Sequence, residues 1–345
     1  MAPPGVRSAI SYAIRVLLER HAYETEITLS EALSRRSLLR LSGLSALAVA
    51  ATGGLAACGN DTSALSGNQT DVSAYDQIIA DGPVADEAAV AASPWATKIK
   101  ESGTLRMGGS DAGPLFSMKD PATGKLNGFD AGLAQLLSHY ITGKADGPIA
   151  LTISTVDTRE TLIQNGTVDV VVATYSITPQ RAEKVAFAGP YYRSGDAVMI
   201  KADTTGISGV QDLDGKTVAT QQGSTAADRI TKVAPGAKVS LFPDDPQCLA
   251  ALKTDRVDAY VIDQSILISN ASTDDTVKVV GEPFSDDYYG IGLTRDDATA
   301  KEFVNTFLTE IFSGGAWLNM WKATIGTVVT GEEPKPPEIG SAPGS

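Results

Sequence analysis

The stretch Val168-Asp169-Val170-Val171-Val172-Ala173-Thr174-Tyr175-Ser176-Ile177-Thr178-Pro179-Gln180-Arg181 decides the fold. Its first six residues form an almost continuous apolar run, the pattern of a strand covered on both faces, as in a parallel sheet flanked by helices. The run breaks into a hydroxyl-rich turn (Thr174, Ser176, Thr178), and Arg181 follows at the start of a short helix. In open α/β sheets, ligands bind beyond the carboxyl ends of the strands, where this turn lies. An arginine offers a planar fork of donors that meets a carboxylate in bidentate fashion. Hydroxyls, turn N–H groups and Arg181 together make an anion receptor; the plainer alternative is a threonine cap beside a solvated arginine.

Outward from this stretch the same alternation continues. Strands are expected at 104–108, 149–156, 217–220, 239–242, 257–262, 277–280 and 288–293, and helices at 130–141, 158–165, 225–233, 246–253, 263–268 and 298–312. That order predicts an α/β protein with mostly parallel sheets flanked by helices. Two polar, strand-like crossings, at 197–201 and 280–283, divide it into two lobes: residues 93–197 with 283–330, and residues 198–282. Ser93 and Pro94 read as a helix cap and first helical position, where folding should begin. His139, off the apolar stripe of its helix, is expected to face solvent, and Cys248, in an amphipathic helix, to be a buried free thiol.

Composition removes several functions. The chain has 345 residues and a net charge of −13, with two cysteines and two histidines. Residues 1–57 hold six arginines against four glutamates, so the acid excess belongs to the remainder. An acidic chain without a basic run has no electrostatic footprint for nucleic acid. Two cysteines cannot build a disulfide framework, and two histidines offer little to a zinc site. No cofactor is expected. Gly-rich phosphate loops are absent, and a Ser-His-Asp or Cys-His set after Cys58 would depend on His139 alone.

The start of the chain reads as an address. Ser34-Arg35-Arg36-Ser37-Leu38-Leu39-Arg40 precedes a modestly apolar run ending Leu55-Ala56-Ala57-Cys58. This resembles a twin-arginine export signal (residues 1–57) joined to a lipobox, with Cys58 acylated. Two acyl chains hold a protein on a membrane stably, so a diacylated Cys58 is a sufficient anchor on the outer face of the cytoplasmic membrane. Residues 58–92, small and polar, are expected to be a flexible tether, and residues 331–345 a disordered tail.

Seven ordered motifs now point to a family. Gly103-Thr104-Leu105-Arg106-Met107-Gly108, Gly128-Phe129-Asp130 and the segment from Arg159 to Asp169 come first. Then follow the segment from Ala173 to Tyr192, Asp212-Leu213-Asp214-Gly215-Lys216, Gln222-Gly223-Ser224-Thr225 and Val257-Asp258-Ala259-Tyr260-Val261-Ile262-Asp263. The body resembles the extracellular solute-binding proteins of family 3, which serve polar amino acid ABC importers. Its loops are most similar to the glutamate-binding lipoproteins of actinobacteria. The resemblance implies a two-lobed periplasmic-binding-protein (Venus flytrap) fold of type II. It further implies that a free amino acid, an ABC permease with its ATPase, and the membrane reached through the lipid anchor are the partners of a monomeric chain.

Residue roles carry over by position. Arg181, helped by Ser176, meets the α-carboxylate; Thr225 with Ser224 reaches it from the other lobe at a helix N-terminus; Asp263 takes the α-ammonium, shared with the Thr174 carbonyl. By its place Asp263 could also cap a helix. A second carboxylate on the ligand needs another cation, with Arg159 favoured over Arg193, Lys119 and Lys125; a structural salt bridge is the alternative role for Arg159. Glutamate or aspartate is favoured, then glutamine or asparagine. The first loop, from Ser110 to Phe116, lacks the aromatic that many relatives place before a Pro-Phe element. Two other functions share the fold: an amino-acid sensor read by a membrane receptor, and a dehydratase acting on small carboxylates.

Overall fold

The computed structural model describes residues 72–345. Its first half supplies β1 (Leu105–Gly109), the short strands β2 (Ala112–Gly113), β3 (Ser117–Lys119) and β4 (Leu126–Asn127), then β5 (Ile149–Ile153), β6 (Val170–Val171) and β7 (Ala186–Ser194). The rest supplies β8 (Asp196–Lys201), β9 (Thr217–Gln221), β10 (Lys238–Phe242), β11 (Ala259–Asp263), β12 (Val277–Val280) and β13 (Asp287–Leu293). These form two five-stranded sheets, ordered β5-β1-β6-β13-β7 and β10-β9-β11-β8-β12, and a small β2-β3-β4 sheet. Within the first, β5, β1 and β6 run parallel, while β13 runs against both of its neighbours. Within the second, β10, β9 and β11 run parallel, while β8 runs against both of its own. Each reversed strand is the first that the chain lays down on entering that sheet from the other.

Each sheet has its own core. The first packs Leu133, Leu137 and Tyr140 of the helix Phe129–Thr142 against Phe303, Phe307 and Ile311 of the helix Ala298–Ser313. The second packs Val218, Tyr260 and Val261 against Ile230, Cys248 and Leu252 from its flanking helices. Burying one such large side chain contributes roughly 1.5–3 kcal/mol, so each lobe holds its shape through its own interior. Cys248 is a buried free thiol, as expected, and burial pushes its pKa up.

The crossings lie at Gly195 and at residues 281–286. Ser194 faces Asp287 across β7–β13, and Val198 faces Val280 across β8–β12, so the crossings run side by side. A Cβ on Gly195 would stand 2.0 Å from the Ser285 carbonyl oxygen, so only glycine fits. This corrects the reading of 197–201 as a polar crossing. Ala197 to Ile200 is fully buried in the second core, and its apolar run was disguised by Asp196 and Lys201 at its ends.

The tether reading is also corrected. Within residues 58–92, helices form at Val72–Ala80 and Glu87–Ala92, and Tyr75 and Ile79 are buried in the first core. The Tyr75 hydroxyl lies 3.0 Å from the Gly128 carbonyl and 2.7 Å from Gln135 Oε1. Tyr75, Ile79, Ala85 and Val90 enter the first core, and Ile78 packs against it, which is enough to dock a segment whose remaining residues are mostly small or polar. The helix Pro94–Ser102 does start where Ser93 and Pro94 indicated, with Ser93 Oγ accepting from the Ala96 N–H. His139 is buried, not solvent-facing; its ring nitrogens sit 2.8 Å from the Lys144 carbonyl and 3.2 Å from that of Gly82. Gly82 comes from the segment taken for a tether, so the two errors have one cause. The tail, read as disordered, lies against the first lobe: the Gly340 N–H donates to the Gly189 carbonyl, and Ala342 is buried beside Ile163 and Val168. Small side chains let it lie close to the surface it covers. The export signal and Cys58 lie outside the described residues.

Candidate functional site

The site is built on the turn after β6. Thr174 there adopts φ 44°, a left-handed conformation seldom tolerated by a β-branched residue. Asp130 holds it: Oδ2 accepts from the Thr174 N–H at 2.7 Å, and Oδ1 accepts from the Tyr191 hydroxyl at 2.8 Å. Asp130 is buried at the start of the helix Phe129–Thr142, and burial pushes its carboxyl up to about 7 against those two hydrogen bonds. Gly128 precedes it at φ 125°, where a Cβ would fall 2.4 Å from the Phe116 carbonyl carbon. The Gly-Phe-Asp motif therefore sets this helix against the first loop and anchors the turn.

Thr178 caps the helix Pro179–Ala182, its hydroxyl accepting from the Arg181 N–H at 3.2 Å. Arg181 is buried; Nη1 donates to the Ser176 carbonyl at 2.7 Å, and Nη2 donates to the Gly223 carbonyl of the second lobe at 3.0 Å. Arg159, also buried, places its guanidinium carbon 3.8 Å from the centre of the Tyr175 ring and donates through Nη1 to the Ala173 carbonyl at 3.1 Å. Its Nε has no partner. It forms no salt bridge among the described residues. Burial lowers the pKa of both arginines, and for Arg159, brought down to about 9, the Arg181 charge is the second cause. Two desolvated guanidiniums with few acceptors are poised for an anion.

The second lobe faces them with a helix start and a carboxylate. Ser224 caps the helix Thr225–Val233, with Oγ accepting from the Ala227 N–H at 3.3 Å and lying 3.2 Å from Thr220 Oγ1. Asp263 ends β11. It stands at the cap position of the helix Gln264–Ala271 but makes no capping hydrogen bond, and its buried Oδ1 has no partner. Burial, then the charges of Asp196 and Asp287, push its carboxyl up to about 8.

Arg159, Thr174, Ser176, Arg181, Ser224, Thr225 and Asp263 all line one small cavity between the lobes. A larger cavity of about 120 Å³ shares Arg159, Thr174 and Gln221 with it, and is walled by Phe116, Asp245 and Asn270 among others. Arg159 is its one cationic lining residue. Of the other candidate cations, Lys125 pairs with Asp76 and Arg193 with Asp286, both at the surface, and Lys119 lines a separate surface depression. Phe116, at the end of the first loop, is the aromatic wall on this side. Sequence reasoning missed Asp130, Tyr175 and Gln221. Only the Gly-Phe-Asp motif signalled the first of them; the others depend on which elements meet. The lobes are in contact through Arg181 and Gly223, through Gln222 Nε2 donating to Asp157 Oδ2 at 3.0 Å, and through the Leu115 N–H donating to Ser269 Oγ at 3.0 Å.

Two α/β lobes joined by paired crossings, with charged and hydroxyl groups converging between them, define a type II periplasmic binding protein. Residues 105–323 match the bacterial extracellular solute-binding proteins, family 3, and the chain belongs to that family. It is similar to the glutamate-binding protein GluB of Corynebacterium efficiens, 38% identical over 175 residues that make up 49% of this chain and 60% of that protein. It is also similar to the glutamine-binding protein of Geobacillus stearothermophilus, 35% identical over 61% of this chain and 80% of that one. Among solved structures, a mutant of ArgBP from T. maritima superposes with a TM-score of 0.61 at 27% identity, covering 67% of this chain and 99% of that one.

Proposed function

We propose that this chain captures a free polar amino acid between its lobes and delivers it to the permease of an ABC importer. The observation that carries this reading is the convergence of Arg181, Ser176, Ser224, Thr225 and Asp263 on one enclosed space. A zwitterion needs an anion receptor and a carboxylate a few ångströms apart, and here the two come from different lobes. The α-carboxylate meets Arg181, Ser176 and the helix start at Thr225; the α-ammonium meets Asp263 and the Thr174 carbonyl. The ligand favours the closed form because only that form satisfies both ends.

The ligand side chain then enters the larger cavity, where Arg159 supports an acidic group. Glutamate or aspartate is favoured, with glutamine and asparagine next, and the names of the relatives from C. efficiens and G. stearothermophilus agree with that range. The chain acts as a binder, as the names of its relatives suggest, and His139 is held by two backbone carbonyls. Export, the lipid anchor at Cys58 and the monomeric state complete the proposal.

A calorimetric titration of the purified chain with L-glutamate, L-aspartate and L-glutamine tests it. Losing one partner of a buried charged pair costs about 2–5 kcal/mol, so Arg181→Ala should weaken binding roughly 30-fold or more. Unchanged affinity in that variant overturns the assignment.

A further inference from the structure

Beside the cavity, one oxygen each of Asp196, Asp263 and Asp287 lies within 4.8 Å of the other two, and all three residues are buried. Asp196 and Asp263 are direct cross-strand partners in β8–β11. Asp196 is also the first residue after the Gly195 crossing, and Asp287 the first of β13 after the other crossing. One cation hydrogen-bonds to two of the three. Arg229 Nη1 donates to Asp196 Oδ2 at 2.7 Å and to Asp287 Oδ2, and Nη2 donates to Asp287 Oδ1 at 2.9 Å. Ser285 Oγ donates to Asp287 Oδ2 at 2.8 Å and accepts from the Asp196 N–H at 2.7 Å. Asp287 is thus fully paired. Asp196 Oδ1 and Asp263 Oδ1 are left as buried carboxylate oxygens without partners.

Two ionised carboxylates opposite one another on buried strands repel, and each unpaired oxygen carries its own desolvation cost. A single proton bound by the pair removes that repulsion. We infer that Asp196 is a positioning residue for amine recognition: in the ligand-free protein it shares one proton with Asp263, and the ligand's ammonium expels that proton when it docks. This rests on the proposed role of Asp263. Around the pair, Arg229 and Asp287 face Asp196, while Asp287, the Tyr289 hydroxyl, Arg181 and Arg159 act on Asp263. Burial and the neighbouring aspartates raise the pKa of both members, and the arginines oppose them. The proton belongs to the pair and not to either residue alone.

The sign follows. The ligand-free state binds the extra proton, so affinity rises as pH rises toward about 8 and levels off above it. The proton itself is read without ligand, by carbon-13 NMR of the aspartate carboxyls. One carboxyl should titrate above pH 6 and vanish in Asp263→Asn; in Asp196→Asn it should move down, while the separate signal of Asp130 stays. If no aspartate other than Asp130 titrates above pH 6 in a way that Asp263→Asn abolishes, the inference is overturned. Coupling is read by titrating L-glutamate and L-glutamine in buffers of different ionisation heat at pH 5.5–7.5. Release should approach one proton per ligand, with affinity rising up to about tenfold per pH unit, and Asp196→Asn should flatten that slope. If Asp196→Asn weakens binding equally at every pH and keeps the slope, its role is merely structural and the inference fails. Binding that survives Asp263→Asn undiminished defeats instead the site reading beneath it.

Discussion

Arg159 and Arg181 lie 3.8 and 5.3 Å from the centre of the Tyr175 ring, and like charges held so near each other and away from water raise the free energy of the empty site. An anion between them relieves that repulsion. Their positions differ in kind, because Arg181 bonds across the lobes whereas Arg159 lies where the two cavities join. Arg159→Gln should therefore lower affinity for L-glutamate about 100-fold while changing that for L-glutamine only a few-fold, as read by competition calorimetry. Equal losses for both would place Arg159 at the shared α-carboxylate. Arg181 was legible because Thr-Pro-x-Arg after an apolar strand is a local pattern. Asp196 was not, since its partner across β8–β11 is set by register and not by neighbours in sequence.

Among elements, the helices and parallel strands of the body announced themselves through apolar periodicity, and most expected spans agree with the observed ones to within a few residues. Failures came where composition and packing disagree. β7 carries Gly189, Pro190 and Arg193 and does not read as a strand, yet it pairs with β13 on both sides of an irregularity at 189–191 that takes up the glycine and proline. The helix Val72–Ala80 looked like tether because it is short and set among small, polar residues, although Tyr75, Ile78 and Ile79 lie within it. Its docking makes a quantitative prediction. Tyr75 is completely buried and reaches two acceptors, so Tyr75→Ala should cost about 3 kcal/mol in chemical denaturation. A flexible tether would lose nothing.

At the scale of the molecule, two cores are joined by two adjacent crossings. The two-lobed organisation was legible from the alternation of strands and helices. The site between the lobes was legible only through motif resemblance, since no local pattern states which loops face each other. A ligand bound to both lobes stabilises the whole fold. At 100 times its dissociation constant it should add about 2.7 kcal/mol to unfolding, seen as a higher melting temperature in a thermal-shift panel and absent in Arg181→Ala. The near contact of Gly195 with Ser285 means that the second lobe leaves and rejoins the first at a single point. For a chain made from its N-terminus, that nesting sets an order of assembly. β8 to β12 can pair among themselves as soon as they emerge, whereas β7 pairs only with β13 and has no partner until β13 has been synthesised. The inner lobe is thus completed first, and the outer one passes through synthesis with an open sheet edge, the exposed surface that a nascent chain must keep from other chains.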